Sequence, residues 1–295
     1  MDEFYSNPPR YEAVLKKLTQ IKNLDKNIKL FCIGQSILKR KIYALGIGNL
    51  KNAVLFTGAI HAQEWLTCSI LLRFFEDIFS KKTLHGVNLS DIFEHRGLIV
   101  VPLCNPDGVE IALGGPKTAK QLCSPIEAII KKSDKSWQAN ARGVDLNHNF
   151  DAGWDILKKL ERQAGITSPS PRQYGGICPQ SEPETKALVS LCNALNIKKV
   201  VAFHSQGEEI YYYYGPNTPP ESELMADALA ASSGYQVRKP EGLASHGGFK
   251  DWFIKAKSRP GFTVEVGVGQ NPLPIQMLEP IYEKIKEMMI VAMLL

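Results

Sequence analysis

Apolar residues in this chain follow two patterns, short continuous runs and stripes spaced three and four residues apart. Continuous runs are typical of strands buried on both faces of a sheet, whereas the three-and-four spacing is typical of helices. The runs predict strands at 29–33, 41–47, 53–56, 98–103, 199–203, 210–214 and 262–266. The stripes predict helices at 10–24, 65–79, 181–196, 220–233 and 274–294, with shorter ones near 125–132 and 251–257. Because strands and helices alternate, the pattern favours an α/β fold.

Segments rich in turn-forming residues separate these elements. Residues 105–108, Asn-Pro-Asp-Gly, are a strong turn signal. The stretch 151–181 is rich in Ser, Pro, Gly and Arg and predicts a long loop, and loops of that length in a compact domain are commonly functional. Neither a repeat nor a shift in composition divides the chain. We therefore expect one domain over residues 1–295.

Composition narrows the class of protein. The 295 residues are 44% hydrophobic and 22% charged, which is ordinary for a globular protein with a sizeable core. The net charge of +5 comes from lysines spread along the chain, which favours a solvated surface over a nucleic-acid-binding patch. No segment is long and apolar enough to span a bilayer. The start of the chain lacks the basic and apolar regions of a secretion signal, so a cytoplasmic location is the default expectation.

The six cysteines form no Cys-x-x-Cys pair, and several of them lie in apolar runs. Buried, reduced thiols are the simpler interpretation of this distribution. Cys123 and Cys178 fall in loop-like segments, so a bridge between these two stays open as an alternative.

Polar residues suited to metal binding stand at the ends of predicted strands. His61 and Glu64 follow the strand 53–56 where a helix begins, and His204 follows the strand 199–203. Residues three apart in a first helical turn can share one side of it, and the ends of parallel strands gather at one edge of a sheet. Two imidazoles and one carboxylate are a typical ligand set for catalytic zinc, which keeps a fourth position for water.

Glu265 is a charged residue inside an otherwise apolar strand. Burying it is unfavourable unless it has a partner or a chemical role, and beside a water activated by zinc it could pass a proton to a leaving amine. Each feature has an ordinary alternative: His-x-x-Glu arises by chance, a histidine at a strand end is often only hydrogen-bonded, and Glu265 could belong to a buried ion pair. The joint pattern nevertheless favours zinc catalysis.

Five motifs around these residues are similar to those of the zinc metallocarboxypeptidase family. They lie at 58–65 (GAIHAQEW), 105–108 (NPDG), 143–150 (GVDLNHNF), 203–207 (FHSQG) and 262–265 (FTVE), and the similarity in order and spacing covers residues 5–290. The resemblance implies one α/β domain with a mixed, twisted eight-stranded sheet and helices on both faces. It also implies one Zn²⁺ held by His61, Glu64 and His204, with Glu265 as general base and acid.

Two departures from the digestive members of the family concern carboxylate and oxyanion binding. Those members have an Arg after Asn147 that clamps the C-terminal carboxylate of the substrate, whereas this chain has His148, which makes no bidentate fork. Asn147 can still donate one hydrogen bond, so a strict need for a free C-terminal carboxylate is in doubt. The family's oxyanion-stabilising Arg follows a Trp, but the residue after Trp137 is Gln138, a neutral donor, and Arg142 lies four residues later. The choice between Gln138 and Arg142 stays open.

Two further departures concern the substrate pocket. Leu243 stands where digestive members have a mobile Tyr that covers the substrate. Lys250 precedes an Asp-Trp pair, at the position that forms the pocket floor in the family, and a Lys there favours a carboxylate on the substrate side chain. The alternative is a surface Lys that faces water. With Asn147 and His148, Lys250 completes the predicted substrate-binding residues.

These departures and the motifs at 140–147, 204–208 and 247–254 resemble the bacterial γ-D-glutamyl-meso-diaminopimelate peptidase branch of the family. The resemblance implies hydrolysis of the γ-D-glutamyl amide bond in wall-derived peptides, with muropeptides as substrates. The spread of charge and the lack of a long apolar segment argue against nucleic acid or membrane as a partner. Many such enzymes carry wall-binding modules or a signal sequence, and because we see neither, cytoplasmic muropeptide turnover or a forespore role is expected. Two alternatives stay open: a zinc carboxypeptidase that removes acidic C-terminal residues from ordinary peptides, and a non-catalytic member that binds wall peptides.

Overall fold

Ten strands are present in the part of the chain that the computed structural model describes, residues 2–80, 83–84, 86–133 and 135–295. They are β1 Lys29–Gln35, β2 Lys41–Gly48, β3 Ala53–Thr57, β4 Thr83–Leu84, β5 Val87–Asn88, β6 Gly97–Val101, β7 Ile197–His204, β8 Glu209–Tyr211, β9 Gln236–Arg238 and β10 Gly261–Glu265. Eight form one mixed sheet in the order β1-β2-β6-β3-β7-β10-β8-β9, and β4 and β5 form a separate two-stranded sheet. The four central strands β6, β3, β7 and β10 are parallel, and β2 and β8 flank them in the antiparallel sense. The predicted mixed eight-stranded sheet is confirmed.

Ten α-helices surround the sheet within the same described ranges. They are α1 Tyr11–Lys22, α2 Leu66–Ser80, α3 Leu89–His95, α4 Pro106–Gly114, α5 Cys123–Ile130, α6 Trp154–Gln163, α7 Pro183–Ala194, α8 Ser222–Ser233, α9 Phe249–Lys257 and α10 Leu278–Leu294. Short 3₁₀ helices lie at Glu3–Ser6, Leu50–Asn52, Ala62–Glu64, Pro116–Leu122, Leu146–His148, Gly242–Ser245 and Ile275–Met277.

The central strands are buried on both faces, as their continuous apolar runs predict. On β7, Val201 and Phe203 pack into the cluster that contains α1, α2, α8 and α10. Their neighbours Val200 and Ala202 pack into the opposite cluster, with α7 and α9. Successive side chains of a strand point to opposite faces, so one apolar run supplies both cores. Helices therefore lie on both faces of one α/β domain.

Two segments predicted to be irregular contain helices. Residues 105–108 begin α4, where the Asn105 side chain accepts a hydrogen bond of 2.9 Å from the Gly108 N–H and Pro106 lies in the first turn. A helix start uses the same residue types as a turn, which is why the sequence signal was ambiguous. The loop predicted at 151–181 contains α6. Its buried residues are Leu157 and Glu161, and one buried apolar side chain is too few to form a recognisable stripe.

All six cysteines are free, and the alternative of a bridge between Cys123 and Cys178 is therefore wrong. Among the described residues, no helix has both the length and the apolar character that a membrane span requires.

Lys199 departs from the expectation that the lysines lie on a solvated surface. It lies on β7 with a buried side chain, and its ammonium has no hydrogen-bond partner within the described parts of the chain. Burial, with a smaller contribution from the positive charge of Arg96, lowers the pKa of Lys199 to about 7. A buried amine that must lose its proton reduces the stability of the fold.

We expect Lys199→Met to raise the melting temperature, by roughly 2–4 °C for each kcal/mol that the free energy of unfolding gains. The unfolded chain keeps the proton of this lysine up to the ordinary pKa of 10.5, whereas the folded chain releases it above about 7. Between these values the unfolded state binds more protons, so wild-type stability falls as the pH falls from 10.5 toward 7. The gain should therefore be larger in thermal melts at about pH 6.5 than at about pH 9.5. Lys198→Met, at the exposed neighbouring position, should show no such gain, and an equal gain at both pH values would contradict the argument.

Candidate metal centre

Three predicted ligands come together where β3 and β7 end. His61 caps the short helix Ala62–Glu64 that follows β3, and Glu64 is the last residue of that helix. His204 is the last residue of β7, the parallel neighbour of β3. The two strand ends therefore deliver both histidines and the carboxylate to one edge of the sheet.

The ligand atoms of these side chains converge on one point. Glu64 Oε1 lies 2.9 Å from His61 Nδ1, and Glu64 Oε2 lies 2.9 Å from His204 Nδ1. The two Nδ1 atoms are 3.1 Å apart, and all three ligand atoms lie within 4.8 Å of one another. This spacing suits three donors around a single small cation.

Asp145 determines which nitrogen of His61 is available as a ligand. His61 Nε2 lies 3.1 Å from Asp145 Oδ1, so the ring donates its N–H there and keeps a lone pair on Nδ1. That lone pair faces Glu64 and His204, and lone pairs at such distances repel unless a cation lies between them. Two imidazole nitrogens and one carboxylate oxygen, with a carboxylate behind one imidazole, fit Zn²⁺. His61, Glu64 and His204 thus form one zinc site.

Both carboxylates of this cluster favour the ionised state. In the metal-free chain, burial by itself would raise the pKa of Glu64, but hydrogen bonds from His61 and His204, and the positive charges that these rings carry when protonated, outweigh it and lower the pKa to about 2. Burial is likewise outweighed at Asp145, where His61, His148 and the N–H of Gln173 hold the pKa below its usual range. Ionised carboxylates are the form that binds a metal and supports a ligating histidine.

Glu265 ends β10 directly beside His204. The two residues are register partners of the parallel pair β7 and β10, so their side chains leave the same face of the sheet. Burial first, and then the negative charge of Glu64, raise the pKa of Glu265 well above its usual range. A carboxyl group in this position can hold a proton as well as accept one, as a general base and acid requires.

The predicted carboxylate-binding residues Asn147 and His148 have different surroundings. Asn147 Oδ1 accepts a hydrogen bond of 3.0 Å from the Phe249 N–H, and its Nδ2 donates to no other described residue. His148 is buried, its Nδ1 donates to the Gln173 carbonyl at 2.9 Å, and it lies 3.9 Å from Glu161 Oε1. Asn147 therefore keeps a free donor, whereas His148 is bonded to the segment after α6.

The two oxyanion candidates lie in separate networks. Gln138 is buried, and its Nε2 donates to Asp145 Oδ2 at 2.8 Å, which connects it to His61. Arg142 is 54% exposed at its side chain, and its Nη1 lies 3.5 Å from Glu182 Oε2, before α7. The structure therefore brings Gln138, rather than Arg142, into the hydrogen-bond network of the metal ligands.

Lys250 lies in the first turn of α9, and its ammonium is buried. Its Nζ donates to the Tyr213 carbonyl at 2.9 Å and lies 2.5 Å from Asp251 Oδ1. An ammonium has three N–H donors, so these contacts leave one donor for a ligand. The alternative of a surface lysine that faces water is wrong, since Lys250 is 4% exposed.

Sequence reasoning missed two residues of this network, Asp145 and Arg172. Asp145 lies inside the motif 143–150, and a buried acidic residue between Val144 and Leu146 was the only local signal. Arg172 donates from Nε to Gln138 Oε1 at 2.9 Å, and it comes from a loop that shows no sequence pattern.

The chain is similar to zinc peptidases along most of its length. The model of the Peptidase M14 family, described as zinc carboxypeptidase, matches residues 12–288. Gamma-D-glutamyl-L-diamino acid endopeptidase 1 of Lysinibacillus sphaericus is 37% identical over 258 residues, which are 85% of this chain and 64% of that protein. The chain therefore spans less than two thirds of the length of this relative.

Solved structures share the fold. Thrombin-activatable fibrinolysis inhibitor superposes with a TM-score of 0.79 at 21% identity, covering 99% of this chain and 75% of that chain. A murein-tripeptide amidase from Escherichia coli O157 superposes with a TM-score of 0.55 at 22% identity, covering 90% of each chain. These likenesses establish the carboxypeptidase A-like fold.

Proposed function

The chain belongs to the zinc carboxypeptidase family, and from this premise we propose that it cleaves the amide bond between γ-D-glutamate and a diamino acid such as meso-diaminopimelate in peptides from bacterial walls. As a zinc metallopeptidase it acts on a peptide substrate. Similarity to an endopeptidase named for the γ-D-glutamyl-L-diamino acid bond supports the choice of bond. The observation that carries the proposal is the environment of His148.

A clamp for a substrate's C-terminal carboxylate needs a cation that is free to form a fork of hydrogen bonds. The residue after Asn147 is His148, whose buried ring is bonded to the Gln173 carbonyl. The Asn147 amide remains as a single neutral donor beside it. This arrangement favours substrates that are not selected by a free C-terminal carboxylate, as expected for a γ-D-glutamyl bond within a wall peptide.

The proposed chemistry needs one proton carrier, which we assign to Glu265. When bound, zinc polarises the scissile carbonyl and makes water easier to deprotonate. The Glu265 carboxylate accepts the proton of the attacking water and then delivers it to the leaving nitrogen. Its place beside His204 in the sheet supports this assignment.

For the oxyanion we propose Gln138 in preference to Arg142. One N–H of the Gln138 amide is engaged by Asp145, which leaves the second for the substrate oxygen. Gln138 Oε1 accepts hydrogen bonds from Gln63 and Arg172, and such bonds polarise an amide and strengthen it as a donor. Arg142 faces Glu182 instead.

Carboxylates of the substrate are proposed to be oriented by Asn147 and Lys250. Each keeps one donor that no described residue occupies, as the contacts above indicate. The contacts of His148 favour a role in positioning Asp145. The Gln173 carbonyl accepts a hydrogen bond from His148, and the Gln173 N–H donates to Asp145 Oδ2 at 3.0 Å. Direct contact of His148 with substrate stays a prediction.

We expect the protein to release the diamino acid from γ-D-glutamyl-meso-diaminopimelate and its L-alanyl tripeptide. Mass spectrometry of the products identifies the bond that is cleaved. A matched peptide that ends in L-glutamate tests the alternative zinc carboxypeptidase, and chelator-treated protein is the control for zinc dependence. Cleavage of the glutamate peptide alone would contradict the proposal, and retention of zinc without any cleavage would favour a wall-peptide-binding member. The cytoplasmic location stays a prediction.

A further inference from the structure

The sheet next to Glu265 carries polar residues on the same face as the metal ligands. In β10 and its neighbours, Glu265 is the register partner of His204 on one side and of Glu209 on the other. Register partners project from the same face, and adjacent strands lie about 4.8 Å apart. Glu209 is therefore one strand from Glu265 and two strands from His204.

A second row of polar residues lies beside the row formed by Glu265 and Glu209, two positions away along the strands. Thr263 on β10 is the register partner of Tyr211 on β8, and Tyr211 is the register partner of Arg238 on β9. The side chains between these positions, Ile210 and Val237, pack into the apolar cluster on the opposite face. Alternation along β8 and β9 thus separates one apolar face from one polar face, and the polar face continues from the catalytic carboxylate.

The charges of this row are only partly satisfied. Tyr211 donates from its hydroxyl to Glu209 Oε2 at 2.5 Å, and Arg238 Nε lies 3.5 Å from Glu209 Oε1. The side chains of Arg238 and Glu209 are 54% and 30% exposed. Arg238 also donates from Nη2 to Gln236 Oε1, and its Nη1 has no hydrogen-bond partner among the described residues. A carboxylate and a guanidinium are thus both open to a ligand at this place.

Charged residues on an edge strand have an ordinary explanation, since they discourage pairing with another chain. β9 is an edge strand, so this explanation would suffice for Arg238 by itself. Glu209 and Tyr211, however, lie on the next strand inward and face the side of Glu265. Lys250 contrasts with Arg238, because its ammonium is already paired with Asp251. Arg238, which is 54% exposed and lies 3.5 Å from Glu209, is therefore the more accessible of these two cations.

We propose that Glu209, Tyr211 and Arg238 form a zwitterion subsite, which binds the far end of the leaving diamino acid. Glu209 accepts hydrogen bonds from the side-chain ammonium, and Arg238 donates to the carboxylate on the same carbon. This inference rests on the proposed function and narrows its substrate class. It selects a diamino acid whose side chain ends in both groups, as in diaminopimelate, over lysine, which ends in an ammonium alone.

Two γ-D-glutamyl peptides that differ only in the leaving residue, meso-diaminopimelate or L-lysine, test the subsite. The wild-type kcat/KM should favour the diaminopimelate peptide by roughly 10- to 100-fold, the range for one charge-assisted hydrogen bond. Arg238→Gln should reduce this preference to about twofold by lowering kcat/KM for that peptide alone, and Arg238→Lys should restore part of it. Glu209→Gln should lower kcat/KM for both peptides, since both carry the ammonium.

Glu208→Gln is the matched control, because Glu208 adjoins Glu209 in sequence but pairs with Lys284 of α10 at 2.6 Å. It should leave both peptides unaffected. Titration calorimetry with full-length Glu265→Gln protein gives a second readout. Free meso-diaminopimelate should bind at least tenfold more tightly than free L-lysine, roughly matching the preference in kcat/KM. An unchanged preference in Arg238→Gln, or equal binding of the two amino acids, overturns the subsite while γ-D-glutamyl cleavage stands. If wild type cleaves neither peptide, the proposed function fails, and calorimetry decides the subsite by itself.

Discussion

Replacing Glu265 by Gln is expected to lower kcat by about 10²- to 10⁴-fold while the zinc content stays unchanged, the usual range for losing a general base. The amide has the shape of the carboxyl group but accepts no proton from water. The ligand atoms belong to His61, Glu64 and His204, which the substitution leaves in place. Initial rates on γ-D-glutamyl-meso-diaminopimelate, together with metal analysis of the same samples, measure the two effects separately.

Stability distinguishes loss of the base from loss of the fold. Burial and the charge of Glu64 raise the pKa of Glu265, so the charged form of this residue is unfavourable in the metal-free chain. A neutral amide carries no such charge and needs no proton to lose it, so the melting temperature of the metal-free variant should equal or exceed that of wild type. Glu64→Gln is the contrasting variant, because it weakens a ligand and should lose zinc as well as activity. A kcat within about tenfold of wild type in Glu265→Gln would show that another group carries the proton.

The fold class and the zinc ligands were predictable because their causes are local in the sequence. Strands such as Ala53–Thr57 are buried on both faces, and burial of that kind leaves an unbroken apolar run. His61 and His204 follow such runs directly, so the general tendency of parallel strand ends to gather at one edge placed them together. The roles of these residues needed no knowledge of loop geometry.

The supporting residues were not predictable in the same way. The carboxylate of Asp145 reaches a ligand 84 positions earlier, and no local pattern encodes that contact. β9 has three residues, Gln236–Arg238, too few for an alternating pattern to stand out, and the position of Arg238 beside Tyr211 follows only from the sheet order. The contacts of the Gln138 amide were unpredictable for the same reason, since its bonds to Asp145 and Arg172 depend on how two loops pack together.

Replacing Asp145 by Asn is expected to raise the Kd for zinc by roughly 10- to 100-fold, the usual effect of losing a carboxylate behind a ligating histidine. Asp145 is fully buried and accepts four hydrogen bonds, from His61, Gln138, and the N–H groups of Asn147 and Gln173. An Asn places an NH₂ against at least one of these donors, so His61 loses its orientation and its preferred tautomer. Competition with a chelator of known affinity measures the change.

The stability of the same variant needs a matched control, because any buried Asp with several donors contributes to folding. Asp107 is also fully buried, and it accepts from the Leu38 N–H at 2.7 Å and from Arg40 Nη1 at 2.6 Å, outside the ligand cluster. Asp107→Asn should lower the melting temperature as Asp145→Asn does, but it should leave the Kd for zinc within about twofold of wild type. At saturating zinc, Asp145→Asn should regain activity, because the ligands themselves remain. Equal zinc affinity in the two variants would mean that Asp145 supports the fold and not the metal.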